Sequence, residues 1–323
     1  MGSGVSVVYP TYRLEPRFEW FADSLVANIG DADIEVIVVD GVHSPDRTAR
    51  INTAVRGRFP VRHVPAKPTP YNGRHRLTRR DYFAAASARN TGVVYASRPY
   101  IVFVDDAAVL MPGWWDAVRE AARDEYVIAG AYQKRWEMVV KYGVLESSRP
   151  DPSGMDVRWP QGSDTRPVPV HGSQLYGCSF GIPRGVLLTV NGLDEMCDLM
   201  GGEDSHLGTR LEYLGVPVRY SRRMLTFESQ EIHWQPGGLP RLDKVTDRES
   251  YMLRLRRFGL SRRSVEGRCD SSHMIVDILH GTRQIQSLGN YYHLRILSER
   301  NIDQTVRHFP RTHWFDGQPL DQM

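Results

Sequence analysis

The chain has 323 residues and a formal charge of +3, with 41% hydrophobic and 24% charged residues, values that exclude disordered, collagen-like and coiled-coil chains. One large α/β domain with an appendage is the expected organisation. No apolar run of about eighteen residues and no signal-like leader occurs, so a cytoplasmic protein without a membrane span is expected. Cys178, Cys197 and Cys269 are odd in number and lack metal-ligand spacing, which argues against a disulfide scaffold or a zinc module and for a reducing compartment. Four lysines stand against 37 arginines. That skew has two readings, codon usage or recognition of phosphate by guanidinium forks.

Three short β-branched runs, Val5–Tyr9, Glu35–Val39 and Tyr100–Val104, read as buried parallel strands. Amphipathic stretches at about 16–29, 47–56 and 82–97 lie between them, giving a βαβα alternation around a mostly parallel sheet. Ligands of such sheets gather at the carboxyl ends of the strands, where this chain places Pro10-Thr11-Tyr12, Asp40 and Asp105-Asp106. Residues 112–123 read as a helix and Tyr126–Ala131 as a strand. From Lys134 to about Val170, five prolines and no long periodic run predict an extended excursion over one face. Leu207–Leu214 is a periodic helix stopped by Gly215, and Pro217–Tyr220 resumes a strand. From about 240 the chain reads as helical and basic.

Five pieces in this order carry a resemblance: Val5-Ser-Val-Val-Tyr-Pro-Thr-Tyr12, Glu35-Val-Ile-Val-Val-Asp40, Ala88-Arg-Asn-Thr-Gly92 with Tyr100–Asp106 and Pro112-Gly-Trp114, Gly177–Arg184 with Gly192–Glu195, and Gly201-Gly-Glu-Asp204. Together they resemble the family 2 glycosyltransferases over about residues 5–234. The resemblance implies a GT-A fold, Rossmann-like with flanking helices, spanning 1–238, with 239–323 as a helical, basic extension. It implies an inverting, metal-dependent enzyme that moves a sugar from a nucleotide-sugar, UDP-linked, to an acceptor hydroxyl.

The implied roles are specific. Pro10, Thr11 and Tyr12 would line the base pocket, Asp40 would contact uracil or ribose, and Arg89 and Asn90 would contact phosphate or base. Asp105 would bond the ribose or orient the site, and Cys178 would lie beside the sugar as a small buried residue. Asp106 and His233 would ligate Mn²⁺ or Mg²⁺, a hard-oxygen role for the carboxylate. A departing diphosphate gains charge, so a cation or arginines must hold it. One departure stands out: where the family commonly reads Asp-x-Asp, this chain has Asp105-Asp106-Ala107, so the third position offers no ligand. Asp204 would take the acceptor proton and Glu203 would bond an acceptor hydroxyl. Because Asp204 opens a helix, the dipole is expected to lower its pKa and keep it ionised.

Trp114 and Trp115 read as core rather than sugar-stacking residues. Two basic runs, Arg74–Arg80 and Arg254–Arg263, read by default as solvated faces, but their interleaving with Tyr71, Tyr82 and Phe258 is also what a polyanionic acceptor would require. A small or oligosaccharide acceptor is the default reading, and a hydroxymethylated base in viral DNA is its alternative. Two rivals remain, a non-catalytic nucleic-acid-binding relic of the fold and a nucleotidyltransferase. Neither needs the Gly201-Gly-Glu-Asp204 loop. Oligomeric state is not readable from the sequence.

Overall fold

The computed structural model describes residues 4–30, 32–67, 72, 80–190, 192–193, 195–199, 201–234 and 237–240, and two strands at 285–288 and 291–294. In chain order the elements are β1 Val5–Thr11, α1 Phe18–Ile29, β2 Ile34–Asp40, α2 Pro45–Val55, β3 Val61–Pro65 and α3 Ala85–Tyr95. β4 Tyr100–Val104, β5 Ala108–Leu110, α4 Trp114–Arg123, β6 Val127–Lys141 and β7 Val144–Met155 follow. The series closes with β8 Val168–Val170, β9 Ser179–Pro183, α5 Arg184–Thr189, α6 Glu203–Tyr213, β10 Val218–Ser229, α7 Gln230–Trp234, β11 Ile285–Leu288 and β12 Tyr291–Leu294.

Ten strands form one sheet in the order β3-β2-β1-β4-β9-β6-β10-β5, with β7 on β6 and β8 on β10. β1, β2, β3 and β4 run parallel, and β10 is parallel to β6. β9 lies antiparallel between β4 and β6. Every residue of β1 and β4 is buried, because helices cover both faces and leave no solvated side to alternate with. Alternate side chains divide accordingly. Val7, Val36, Val102 and Trp114 join one core with α1 and α4, while Val8, Ile37, Phe103 and Val93 join the other with α3.

α3 sits close on β1 because Gly92 carries no side chain; a Cβ there would come within 2.2 Å of Val8 Cγ1. α2 starts cleanly, with the Ser44 hydroxyl accepting the Arg47 N–H and Pro45 at the first position. Trp114 is fully buried and donates its indole N–H to Ser179 Oγ at 3.0 Å. The expected early strands and helices are all present, and β3 is an addition. The excursion after Lys134 is corrected: β6 and β7 pair as a long antiparallel hairpin with register shifts, and the prolines Pro150 and Pro152 sit on its outer strand. In the extension, β11 and β12 pair antiparallel. The helical reading of its other residues, and the run Arg254–Arg263, lie outside the described residues, as do Tyr71 and all of Arg74–Arg80 except Arg80.

Candidate active site

β1 and β4 are adjacent and parallel, so the segments that leave their carboxyl ends, Thr11–Arg13 and Asp105–Ala107, meet. A cavity of about 420 Å³ opens there. α6 closes its far side, with Gly202 in a left-handed conformation (φ 75°) so that Glu203 and Asp204 form its first turn. Among the described residues Pro10, Tyr12, Arg89, Asp105, Asp106, Cys178, Glu203, Asp204 and His233 all line it. Nine of the twelve expected site residues are therefore in one cavity.

Three are not. Asn90 is fully buried, its amide donating to the Leu193 carbonyl and Glu195 while its oxygen accepts the Leu193 N–H. It locks α3 to the loop before α6, so its expected donor contact is replaced by a structural tie. Thr11 lies behind the wall and donates to Asp106 Oδ2 at 2.7 Å. Asp40 is also behind it: its carboxylate accepts from the Val42 N–H and Arg47 Nε and stands 3.0 Å from His63 Nε2. Burial works to raise the Asp40 pKa, but those bonds outweigh it and hold the carboxyl below its ordinary value.

Charge in the cavity is paired. Arg13 Nε meets Asp106 Oδ1 at 2.9 Å, and Arg89 meets Asp105 at 2.7 Å and Glu203 at 2.6 Å. Lys134 on β6 binds Glu228, its register partner on β10. Asp106 is 8% exposed at its side chain, and burial, opposed by Arg13, raises its pKa. Asp198 accepts the Ala86 and Ser87 N–H groups at the start of α3. Tyr12 stacks on Phe83 with centroids 4.0 Å apart, and Cys178 is buried with its thiol pKa pushed far up by desolvation, which suits a packing residue rather than a nucleophile.

The expected depression of the Asp204 pKa is corrected. Burial and the adjacent Glu203 charge raise it to about 6, against Arg89 and the N–H groups of Ser205 and Gly177. A helix N-terminus contributes a partial charge, which desolvation and a neighbouring carboxylate exceed.

Among the described residues no group of three His, Cys, Asp or Glu side chains is gathered to hold a metal ion by itself. An ion that arrives on a diphosphate needs fewer, because phosphate oxygens and water complete its shell around one or two carboxylates. The donor set fits that case. Asp106, Asp105 and His233 face one cavity, and all three of its permanent cations are already paired with carboxylates.

Sequence reasoning missed Arg13, Tyr132, Lys134, Tyr176, Asp198 and Glu228. Lys134 and Glu228 had no readable signal of their own, because their strands carry other charged side chains, Arg135 and Glu137 on β6 and Arg219, Arg222 and Arg223 on β10.

The family model described as "Glycosyl transferase family 2" matches residues 6–169, just over half of the chain. Two curated relatives, validoxylamine A glucosyltransferases of Streptomyces hygroscopicus subsp. limoneus and subsp. jinggangensis, are each 25% identical over 245 residues, 70% of this chain. The chain spans about half the length of these relatives, 51% and 55%. Among solved structures, S. aureus TarS is 16% identical with TM-score 0.49, over 72% of this chain and 37% of its own. The mannosyltransferase PcManGT of Pyrobaculum calidifontis, in complex with GDP-Man and Mn²⁺, is 17% identical with TM-score 0.47, over 79% and 61%.

Proposed function

Because the chain belongs to glycosyl transferase family 2, we propose that its cavity transfers a sugar from a UDP-sugar to an acceptor hydroxyl by single displacement, with inversion. One observation carries this reading: Asp204 faces the same cavity as the Asp105-Asp106 strand end. Asp204 takes the hydroxyl proton, the acceptor oxygen bonds to the anomeric carbon, and the bond to the diphosphate oxygen breaks with its electron pair leaving on UDP. Pro10 and Tyr12 line the base side, with Thr11 and Asp40 holding that wall from behind, and Asp105 bonds the ribose. Cys178 leaves room beside the sugar.

Asp106 and His233 are the residues that would hold Mn²⁺ or Mg²⁺, which supplies neutralising charge to the departing diphosphate. Asp106 must then yield Arg13. A small or oligosaccharide acceptor suits the cavity, where the carboxylates of Asp105, Glu203 and Asp204 can accept hydrogen bonds from sugar hydroxyls. No helix among the described residues is long and apolar enough to cross a membrane, and Cys178 and Cys197, buried and in no disulfide among the described residues, support a reducing, cytoplasmic setting.

A panel of nucleotide-sugars tests the reading by thermal shift, with Mn²⁺ and with EDTA. UDP-sugars should stabilise the protein in Mn²⁺. No stabilisation by any nucleotide or nucleotide-sugar would overturn it.

A further inference from the structure

Arg89 enters the cavity from α3 and joins walls that the fold brings from far apart in sequence. Its Nη2 donates to Asp105 Oδ1 at 2.7 Å and to the Gly177 carbonyl at 3.2 Å, and its Nη1 donates to Glu203 Oε1 at 2.6 Å. Asp105 follows β4, Gly177 precedes β9, and Glu203 opens α6. The Arg89 side chain is 4% exposed and that of Glu203 11%, so this pair is weakly screened, whereas Asp105, at 36%, keeps more contact with solvent. A lysine offers a point charge where this site uses a planar fork with two carboxylates on it.

We propose that Arg89 is a positioning residue rather than a donor ligand: its fork ties the loop bearing the base to the strand end bearing Asp105, and by drawing Glu203 onto itself it keeps Asp204 free to accept a proton. The inference rests on the reading of Asp204 as base. Glu203 and Asp204 are neighbours in the first turn of α6, and two carboxylates so placed disfavour each other's ionisation. A guanidinium held on Glu203 relieves that repulsion. The cavity that Asp204 lines is also lined by Asp105 after β4, Asp198 before α6, Tyr176 and Cys178 ahead of β9, Lys134 on β6 and Glu228 on β10. Asp204 itself is held by the backbone N–H of Gly177, whose carbonyl Arg89 binds. Arg89 thus fixes both the position and the proton affinity of the base.

The test is a pH titration of the full chain in EDTA, read from aspartate carboxyl-carbon NMR resonances, with the Asp204 signal identified by its loss in Asp204→Asn. It needs no substrate. Wild-type Asp204 should titrate near pH 6. Arg89→Gln should move that midpoint up by roughly one pH unit or more, and Glu203→Gln should move it down. Arg89→Lys keeps the charge without the fork and should move it up by less, and it serves if Arg89→Gln does not fold. Simple loosening of the site would hydrate Asp204 and move every variant down, towards an ordinary carboxylate. An unmoved midpoint in the Arg89 variants, or a downward one, overturns the inference. Failure of the base reading is separate: it appears as normal donor turnover by Asp204→Asn, whatever the titration gives.

Discussion

Asp204 performs its proposed role only when ionised, so its environment sets the pH dependence. With its carboxyl raised to about 6, the transfer rate should fall tenfold per pH unit below that value and level off above it. The sign follows from the chemistry, because the protonated form cannot accept the acceptor's proton. A rate that stays flat well below pH 5 would show that the proton goes elsewhere. Asp106 carries a second expectation. Asp106→Ala should remove the Mn²⁺-dependent part of UDP binding, measured by calorimetry, and undiminished wild-type affinity in EDTA would contradict the assignment. The identities of both carboxylates were legible in the sequence as strand-end and helix-start residues. Their proton affinities were not, since desolvation and the distance to Glu203 or Arg13 exist only once the cavity is closed.

At the scale of elements, α6 owes its position to two glycines facing each other. A Cβ on Gly208 would lie 1.9 Å from the Gly172 carbonyl oxygen, and one on Gly172 would lie 2.1 Å from that of Gly208. Gly208→Ala should cost about 1–3 kcal/mol in denaturant midpoint analysis and should also slow turnover, because α6 carries Asp204. Full stability in that variant would mean the helix is not seated as described. The buried strands and their helices were readable because two covered faces demand continuous apolar runs. The β6–β7 hairpin was not, for a physical reason. Its outer half alternates irregularly across register shifts, and its prolines fall on β7, which among the described residues pairs with β6 alone. Arg13 escaped for a different reason. It follows a strand end like any loop arginine, and only the parallel pairing of β1 with β4 brings it to Asp106.

Across the whole molecule the arginine excess leaves a choice that charge alone settles by experiment. Dependence on a polyanionic acceptor would show as DNA binding that weakens steeply with salt, through counterion release. A small or oligosaccharide acceptor predicts no such binding, and a steep salt slope would instead favour the nucleic-acid acceptor. The central claim is that one cavity binds a UDP-sugar and uses Asp204 to launch the attack. Its most direct measurement is UDP release from UDP-glucose and other UDP-sugars in Mn²⁺, wild type against Asp204→Asn, with UDP affinity measured on both. The wild type should turn over, and the variant should lose roughly 10²–10⁴-fold in rate at unchanged UDP affinity. Equal rates in the two proteins would contradict it.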